Sequence, residues 1–524
     1  MAENGYYING FDVTNIRNFL SYANLPFEAI AQQQIKTGGY GAEYGRSLGG
    51  VISLLTKRGT NEWKGGASVY WEPKSLRSKG IRVVNKETDL STPDQFQNLP
   101  PYTHYYFDKS QDRREVREYN IYGGGPVIKD KLFVFGLVEG RSNTTDTFEE
   151  SQAHRIKDTH PNWLLKVDFS LTDNHLLEYT GISTKSKRDY YDYESATPYA
   201  GTLDGAPGVS QRTAGGRVDI LKYTGYLTDD LTVSALAGRV TDQQPIFTGS
   251  RLGGADCPTV YNVGATAPLG CWNGIFPGAP GRDPAAPPTD IDKRKAYRLD
   301  LEYVLGKHTI RAGLDNQTFT SGEAGGSSYS GGIYWRYFVT PAAGGTVRGV
   351  ALPGNTPYVR GRIAQNTSGE FEVKNSAYYV EDSWKITKEV LLYGGLRWES
   401  FDNKNSDGVS FVKKDRELAP RLGFSWDAMG DSSLKIYGNV GRYYIPVASN
   451  TNIRATRGEL NTEAYYTYTG QDPRTAAPTG LTQIGTTLIN SDGRIPNPAT
   501  VAATNLSPMN QDEYILGMQK AIAK

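Results

Sequence analysis

Few side chains in this sequence are placed to do chemistry. The glycine-dense stretch TGGYGAEYGRSLGGVISLLTKRGTNEW, from Thr37 to Trp63, is the first candidate, because backbone amides in a glycine loop can cradle a phosphate. Its spacing defeats that chemistry. Gly39-Tyr40-Gly41 is followed by Gly45, which breaks G-x-G-x-x-G, and no Gly-Lys-Ser/Thr closes the stretch. LGKHT near Lys307 lacks the upstream glycine and reads as a hairpin turn. Cys257 and Cys271 bracket PTVYNVGATAPLG within one long loop. They are read as a disulfide worth about 3 kcal/mol of local loop closure, against the alternative of two unpaired thiols. Two cysteines without a nearby histidine do not make a zinc site.

Other polar clusters are equally open. The five histidines, His104, His154, His160, His175 and His308, are scattered. His154 and His160 lie near one loop, where a metal or haem role competes with plain solvation. DYYDYESATPYAGTLDG, Asp189 to Gly205, groups acids with tyrosines and suits calcium, sugar or simply a solvated loop. IYWRYF, Ile333 to Phe338, is either an aromatic platform for a ligand or an extended strand at a membrane girdle. The girdle is preferred because Tyr and Trp collect at membrane interfaces. No Ser/His/Asp or paired-carboxylate set stands out. The expectation is a non-enzyme without metal or cofactor.

The elements that must position these residues are strands. The chain has 524 residues, a net charge of +1, 59 Gly and 35 Tyr, but only 4 Met and 2 Cys. That balance favours strands and turns, and the near-neutral charge gives no reason to expect nucleic acid. The longest apolar runs, such as LFVFGLV from Leu132, are far too short for a membrane helix. A membrane strand, however, needs apolar residues only at alternate positions. Such alternation recurs. Tyr297, Leu299, Leu301, Tyr303 and Leu305 share one face while Arg298, Asp300 and Glu302 share the other. After a tight turn, Ile310, Ala312 and Leu314 oppose Arg311 and Asp315. Trp163, Leu165, Val167 and Phe169 alternate with Asn162, Lys166 and Asp168. Arg397 and Arg421 stand on the polar faces of two further strands. Phe133 to Val138 is apolar on both faces, and Tyr223 to Leu227 reads either way.

Connections alternate between short polar turns and long loops, the latter near 73–114, 185–214, 241–293, 318–370 and 445–510. Compact soluble domains seldom carry several such loops, whereas an outer-membrane barrel has short periplasmic turns and long external loops. A soluble sandwich would not need a dozen strands of ten residues, and a propeller would show a fixed repeat, which is absent. A lipid-facing Arg near mid-membrane costs about 2–4 kcal/mol. Arg298, Asp300, Glu302, Arg311, Arg397 and Arg421 are therefore expected to face the lumen. About fourteen strands enclose more space than side chains fill, so the lumen must hold water or a plug.

Against that frame the glycine stretch resembles the C-terminal end of the plug domain of TonB-dependent outer-membrane transporters, closest to their Oar-like branch. LPFEAIAQQQIKTGGYGAEYGRSLGGVISLLTKRGTNEWKGGASVYW carries the resemblance, with Gly38, Gly39, Gly45, Arg46, Gly49 and Gly50 as the plug-end motif. YYINGF at Tyr6 resembles the preceding plug strand, NSAYYVEDSWKIT at Asn375 a recurrent barrel strand, and QDEYILGMQK a barrel strand of that branch. Many members have an acidic residue where this chain reads Gln32, Gln33 and Gln34.

The resemblance implies an all-β fold: the end of a plug over residues 1–62, then a transmembrane antiparallel β-barrel over 63–524, with about 14 of an expected 22 strands. It also implies active import of a scarce solute across the Gram-negative outer membrane, with the lumenal charges touching the plug or lining the path. The implied partners are the TonB–ExbB–ExbD energising complex, outer-membrane lipid and an unknown small solute. Surface adhesion or an export-linked role, and a passive porin, are the rival readings. No secretory signal precedes AENGYYINGFDV, and neither a TonB box nor an aromatic terminal strand is seen. The chain is therefore expected to be an inactive internal fragment of a receptor about twice its length, prone to aggregate through unpaired strand edges.

Overall fold

The computed structural model describes residues 4–15, 17, 25–84, 105–149, 152–194, 197, 199–250, 258–264, 269, 291–323, 325–502 and 508–522. Four short strands come first: β1 (Asn4–Ile8), β2 (Phe11–Asp12), β3 (Ile30–Lys36) and β4 (Gly50–Thr56). They form one mixed sheet in the order β2-β1-β4-β3, with β1 parallel to β4 and the other pairs antiparallel. Gln32, Gln33 and Gln34 lie on its exposed edge strand.

The second sheet is the wall. It runs through β5 (Lys64–Glu72), β6 (Arg113–Ile128), β7 (Leu132–Phe148), β8 (Gln152–Thr172), β9 (His175–Ser183), β10 (Gly208–Tyr226) and β11 (Leu231–Ser250). It continues through β12 (Ile291–Leu305), β13 (His308–Glu323), β14 (Gly369–Lys385), β15 (Val390–Lys404), β16 (Ser410–Asp427), β17 (Leu434–Ile445) and β18 (Met509–Lys520). Each strand pairs antiparallel with the next in sequence. The strand Ser186–Glu194 prolongs β9, pairing with the same two neighbours, so the 15-stranded sheet has fourteen positions across. Among the described residues β5 pairs only with β6, and β18 only with β17.

The strands alternate as the period-two pattern requires. On β8, Asn162, Leu164, Lys166 and Asp168 are buried on the inner face, while Leu165 between them is exposed on the outer. Tyr297 and Leu301 of β12 are likewise outward and exposed. Phe133 to Val138 is apolar on both faces for a physical reason. Its inward Phe135 and Leu137 bury against the small sheet, packed with Ile8, Phe11 and Val13, while Val138 faces out. The same core takes Leu164, Ile182, Val218 and Ile220 from the next three strands.

Several expectations about the loops are overturned. Most wall strands are longer than ten residues, β8 reaching 21, because they continue past the apolar band. Two connections on the long-loop side are therefore short, at 149–151 and 405–409. Asp189 to Glu194, read as a loop, lies in the strand that prolongs β9, with Asp189 accepting from Gln211 at 2.8 Å. His154 is not a solvated loop residue but sits in β8, 2.6 Å from Asp192. The loops near 318–370 and 445–510 are not structureless. With Thr259–Asn262 they build a separate six-stranded sheet from Gly326–Ser327, Tyr334–Val339, Pro357–Asn366, Glu459–Thr467 and Thr482–Asp492. Within Ile333 to Phe338, the residues from Tyr334 lie in the strand Tyr334–Val339, which belongs to this separate sheet rather than to a girdle of the wall. Trp335 and Tyr337 fill its core against Val260 and Val359.

The register predicts an asymmetry between two neighbours on β12. Leu299→Arg should lower folding into lipid vesicles by about 2–4 kcal/mol, the cost of an outward charge at the bilayer midplane. Arg298→Leu should leave insertion largely intact; equal losses for the two variants would contradict the register.

Candidate functional site

The chemistry of this chain is concentrated where the N-terminal sheet meets the inner wall. The segment between β3 and β4, residues 37–49, runs against β12 to β18, and glycine lets it come close. Gly39 has φ +60°, a left-handed backbone that a side chain would strain. Its amide donates to Glu513 of β18 at 3.0 Å, and a Cβ there would meet Asn439 at 2.5 Å. At Gly45 a Cβ would collide with the side chains of Arg397 and Glu399. Gly38 packs on Ile515, Gly50 opens β4 against the Lys36 carbonyl, and Gly49 is exposed at the bend before it.

Behind this approach lies a lattice of charges. Asp315 of β13 accepts from Arg46 at 2.8 Å and from Arg397 of β15 at 2.8 Å. Arg46 also donates to the Asp315 carbonyl and holds a left-handed backbone at φ 58°. Arg397 is fully buried, paired with Glu399 at 2.5 Å and donating to the Ala42 carbonyl at 3.3 Å. Arg421 of β16 donates to the carbonyls of Tyr40 and Gly41, its guanidinium set between the rings of Tyr40 and Tyr443. Glu43 draws Arg298 at 3.5 Å and Arg311 at 3.6 Å. Those two arginines are also paired along the wall, Arg298 with Asp300 at 2.7 Å and Arg311 with Glu302 at 2.5 Å. Tyr393 donates to Glu381 and accepts from the Ala42 amide, both at 2.7 Å. Burial pushes the Tyr44 phenol up to about 12 and Tyr40 higher still, so both stay protonated, Tyr40 donating to the Ser47 carbonyl at 2.6 Å.

Arg298, Arg311, Arg397 and Arg421 therefore each reach a residue between Tyr40 and Glu43, while Asp300 and Glu302 pair with the first two. Four further anchors were not singled out. Arg294 reaches Asp12 at 3.1 Å, Arg17 pairs with Asp292 at 2.7 Å and Glu323 at 2.6 Å, and Arg58 approaches Asp168 at 3.5 Å. Glu28 accepts from Ser68 and Tyr70 of β5 at 2.6 and 2.8 Å. Burial raises the Glu28 carboxyl, but those two hydrogen bonds outweigh it and hold it below the usual range. Inward parity gave one signal for Asp315 and Asp292. Their partners, hundreds of residues away, needed the register. Cys257 and Cys271 lie outside the described residues. Among the described residues no group of His, Cys, Asp and Glu is arranged to hold a metal. The arrangement is a set of ionic and hydrogen-bonded contacts between the segment and the wall.

Removing Asp315 tests its place in the lattice. Asp315→Ala leaves Arg46 and Arg397 short of a buried counter-charge and should weaken seating of the N-terminal sheet by about 3–5 kcal/mol. In folded protein, trypsin should then cut at Arg46. Gly45→Val should expose the same bond by steric means. Protection of Arg46 in both variants would contradict the account.

Residues 142–408 match the outer membrane beta barrel domain. The chain is 23% identical to the TonB-dependent transporter Oar of Myxococcus xanthus, over 87% of this chain and 48% of that protein. It thus spans about half the length of this curated relative, which is of the branch the plug-end motif resembles. The outer membrane transporter YddB from Escherichia coli superposes with a TM-score of 0.52 at 15% identity, over 90% of this chain and 60% of that one. The siderophore receptor PirA from Acinetobacter baumannii has a TM-score of 0.44 at 13% identity, over 99% and 68%. With a transmembrane antiparallel wall, inward charges and a family match across half its length, this chain belongs to the outer membrane β-barrel family.

Proposed function

We propose that the whole protein actively imports a scarce solute across the outer membrane, with residues 1–62 forming the end of a plug and 63–524 part of the barrel. In this reading the long loops face outward. The TonB–ExbB–ExbD complex supplies the energy, because the outer membrane holds neither ATP nor its own ion gradient. The observation that carries the reading is the seating of residues 37–49 on the wall by arginine–carboxylate pairs. Such contacts block a passive pore yet can be exchanged for water when the segment is pulled, since buried ion pairs fix position more than they add stability. Arg298, Asp300, Glu302, Arg311, Arg397 and Arg421 are the wall's half of that latch. Cys257 and Cys271 are assigned a bridge within one external loop, dispensable for the wall.

A second reading, surface adhesion or an export-linked role, is favoured by one feature: the separate outer sheet, which gives a partner a folded surface. Growth on limiting nutrients separates the two. Deleting the gene should abolish uptake of one solute class, and deleting TonB should do the same. Loss of cell–surface attachment with all uptake intact would favour adhesion, and uptake independent of TonB would favour a porin.

A further inference from the structure

The outer sheet has two unlike faces. One is its core, where Trp335, Tyr337, Val260 and Val359 are buried. The other carries three arginines from adjacent strand positions. Arg336 stands directly opposite Arg360, and Arg362 is next along the same strand face, opposite Tyr334. Like charges directly opposed across strands destabilise a sheet. Their counter-charge is thin. Glu463 lies 3.7 Å from Arg360 and 3.6 Å from Arg362, and Arg336 has no carboxylate partner among the described residues. The Nε atoms of Arg336 and Arg360 have no hydrogen-bond acceptor there either. Rings hold the guanidinium planes in place: Arg336 and Arg360 lie 5.6 and 5.9 Å from the centre of Tyr334, and Phe338 and Tyr358 stack alongside at 5.2 Å. The face is not sealed, the Arg362 side chain being 36% exposed.

Opposed guanidinium forks with free donors, flanked by aromatic surface, match a ligand with paired oxyanions. We propose that this face captures a dissolved polyanionic solute, one bearing two or more carboxylate or phosphate groups beside a planar or sugar ring. The proposal deepens the import reading by naming a substrate class, and it rests on that reading for the outward placement of the sheet. The occupant is a free solute rather than a protein or a lipid surface, because the concentrated charge sits within a few residues on two neighbouring strands. Arg336 and Arg360 would take the oxyanions, and Tyr334 and Tyr358 would flank the ring.

The test uses the full-length receptor purified in detergent, with pyrophosphate as the probe, followed by calorimetry and thermal unfolding. The native protein should bind pyrophosphate with an affinity that falls as salt rises, and its Tm should increase on binding. Arg336→Gln should weaken binding at least tenfold while leaving the ligand-free Tm unchanged or higher, since it relieves the opposed charges. Arg336→Lys, which keeps charge but loses the fork, should fall between. Arg494→Gln, an exposed arginine elsewhere on the outer region, should bind as the native protein does. No pyrophosphate binding by the native protein, or an Arg336→Gln variant that is less stable yet binds normally, would overturn the proposal. Binding that persists while TonB deletion leaves all uptake intact would remove the import reading and keep this surface.

Discussion

Asp315 holds two guanidinium groups in a space with little water, one from the segment after β3 and one from the wall strand β15. Desolvating such charges costs several kcal/mol each, and only close, well-aligned pairing offsets it. The rest of the arrangement follows from that constraint. The segment must come close enough for Arg46 to reach, so Gly45 carries no side chain where Arg397 and Glu399 meet it. Arg46 takes a left-handed backbone because its charge is fixed from outside the segment. Tyr40 and Tyr443 clasp Arg421 and keep the neighbouring carbonyls turned towards it.

The inner wall is divided in two. Strands β7 to β11 offer Phe135, Leu137, Leu164, Val218 and Ile220 to the apolar side of the N-terminal sheet. Strands β12 to β16 offer arginine and carboxylate to the glycine segment. The first contact is non-directional and holds wherever the surfaces meet. The second fixes one register, because a shift of a few ångströms separates every pair. The apolar half supplies adhesion and the ionic half supplies position.

Alternation made the wall legible from sequence. Arg298, Leu299 and Asp300 announce their faces through their neighbours, since a strand repeats every two residues. The ambiguous Phe133 to Val138 was informative in retrospect: a wall strand apolar on both faces marks where something apolar sits inside. The site was legible in part. Inward arginines could be named, but their partners, such as Glu43 for Arg298 or Asp315 for Arg397, depend on a register set by the whole sheet. The outer sheet was hidden for another reason. Its strands come from three separated loops, and short Gly- and Pro-punctuated runs such as Tyr334 to Val339 look alike whether they pair or not.

Strand length has a consequence of its own. At about 3.3 Å per residue, the 21 residues of β8 trace roughly 70 Å, and a tilt near 40° leaves roughly 50 Å of height. The apolar band of such a wall is about 25 Å tall. The remainder, roughly 25 Å, lies outside the hydrocarbon and stays paired to both neighbouring strands as far as Ala153, so this part of the wall keeps its shape beyond the lipid tails.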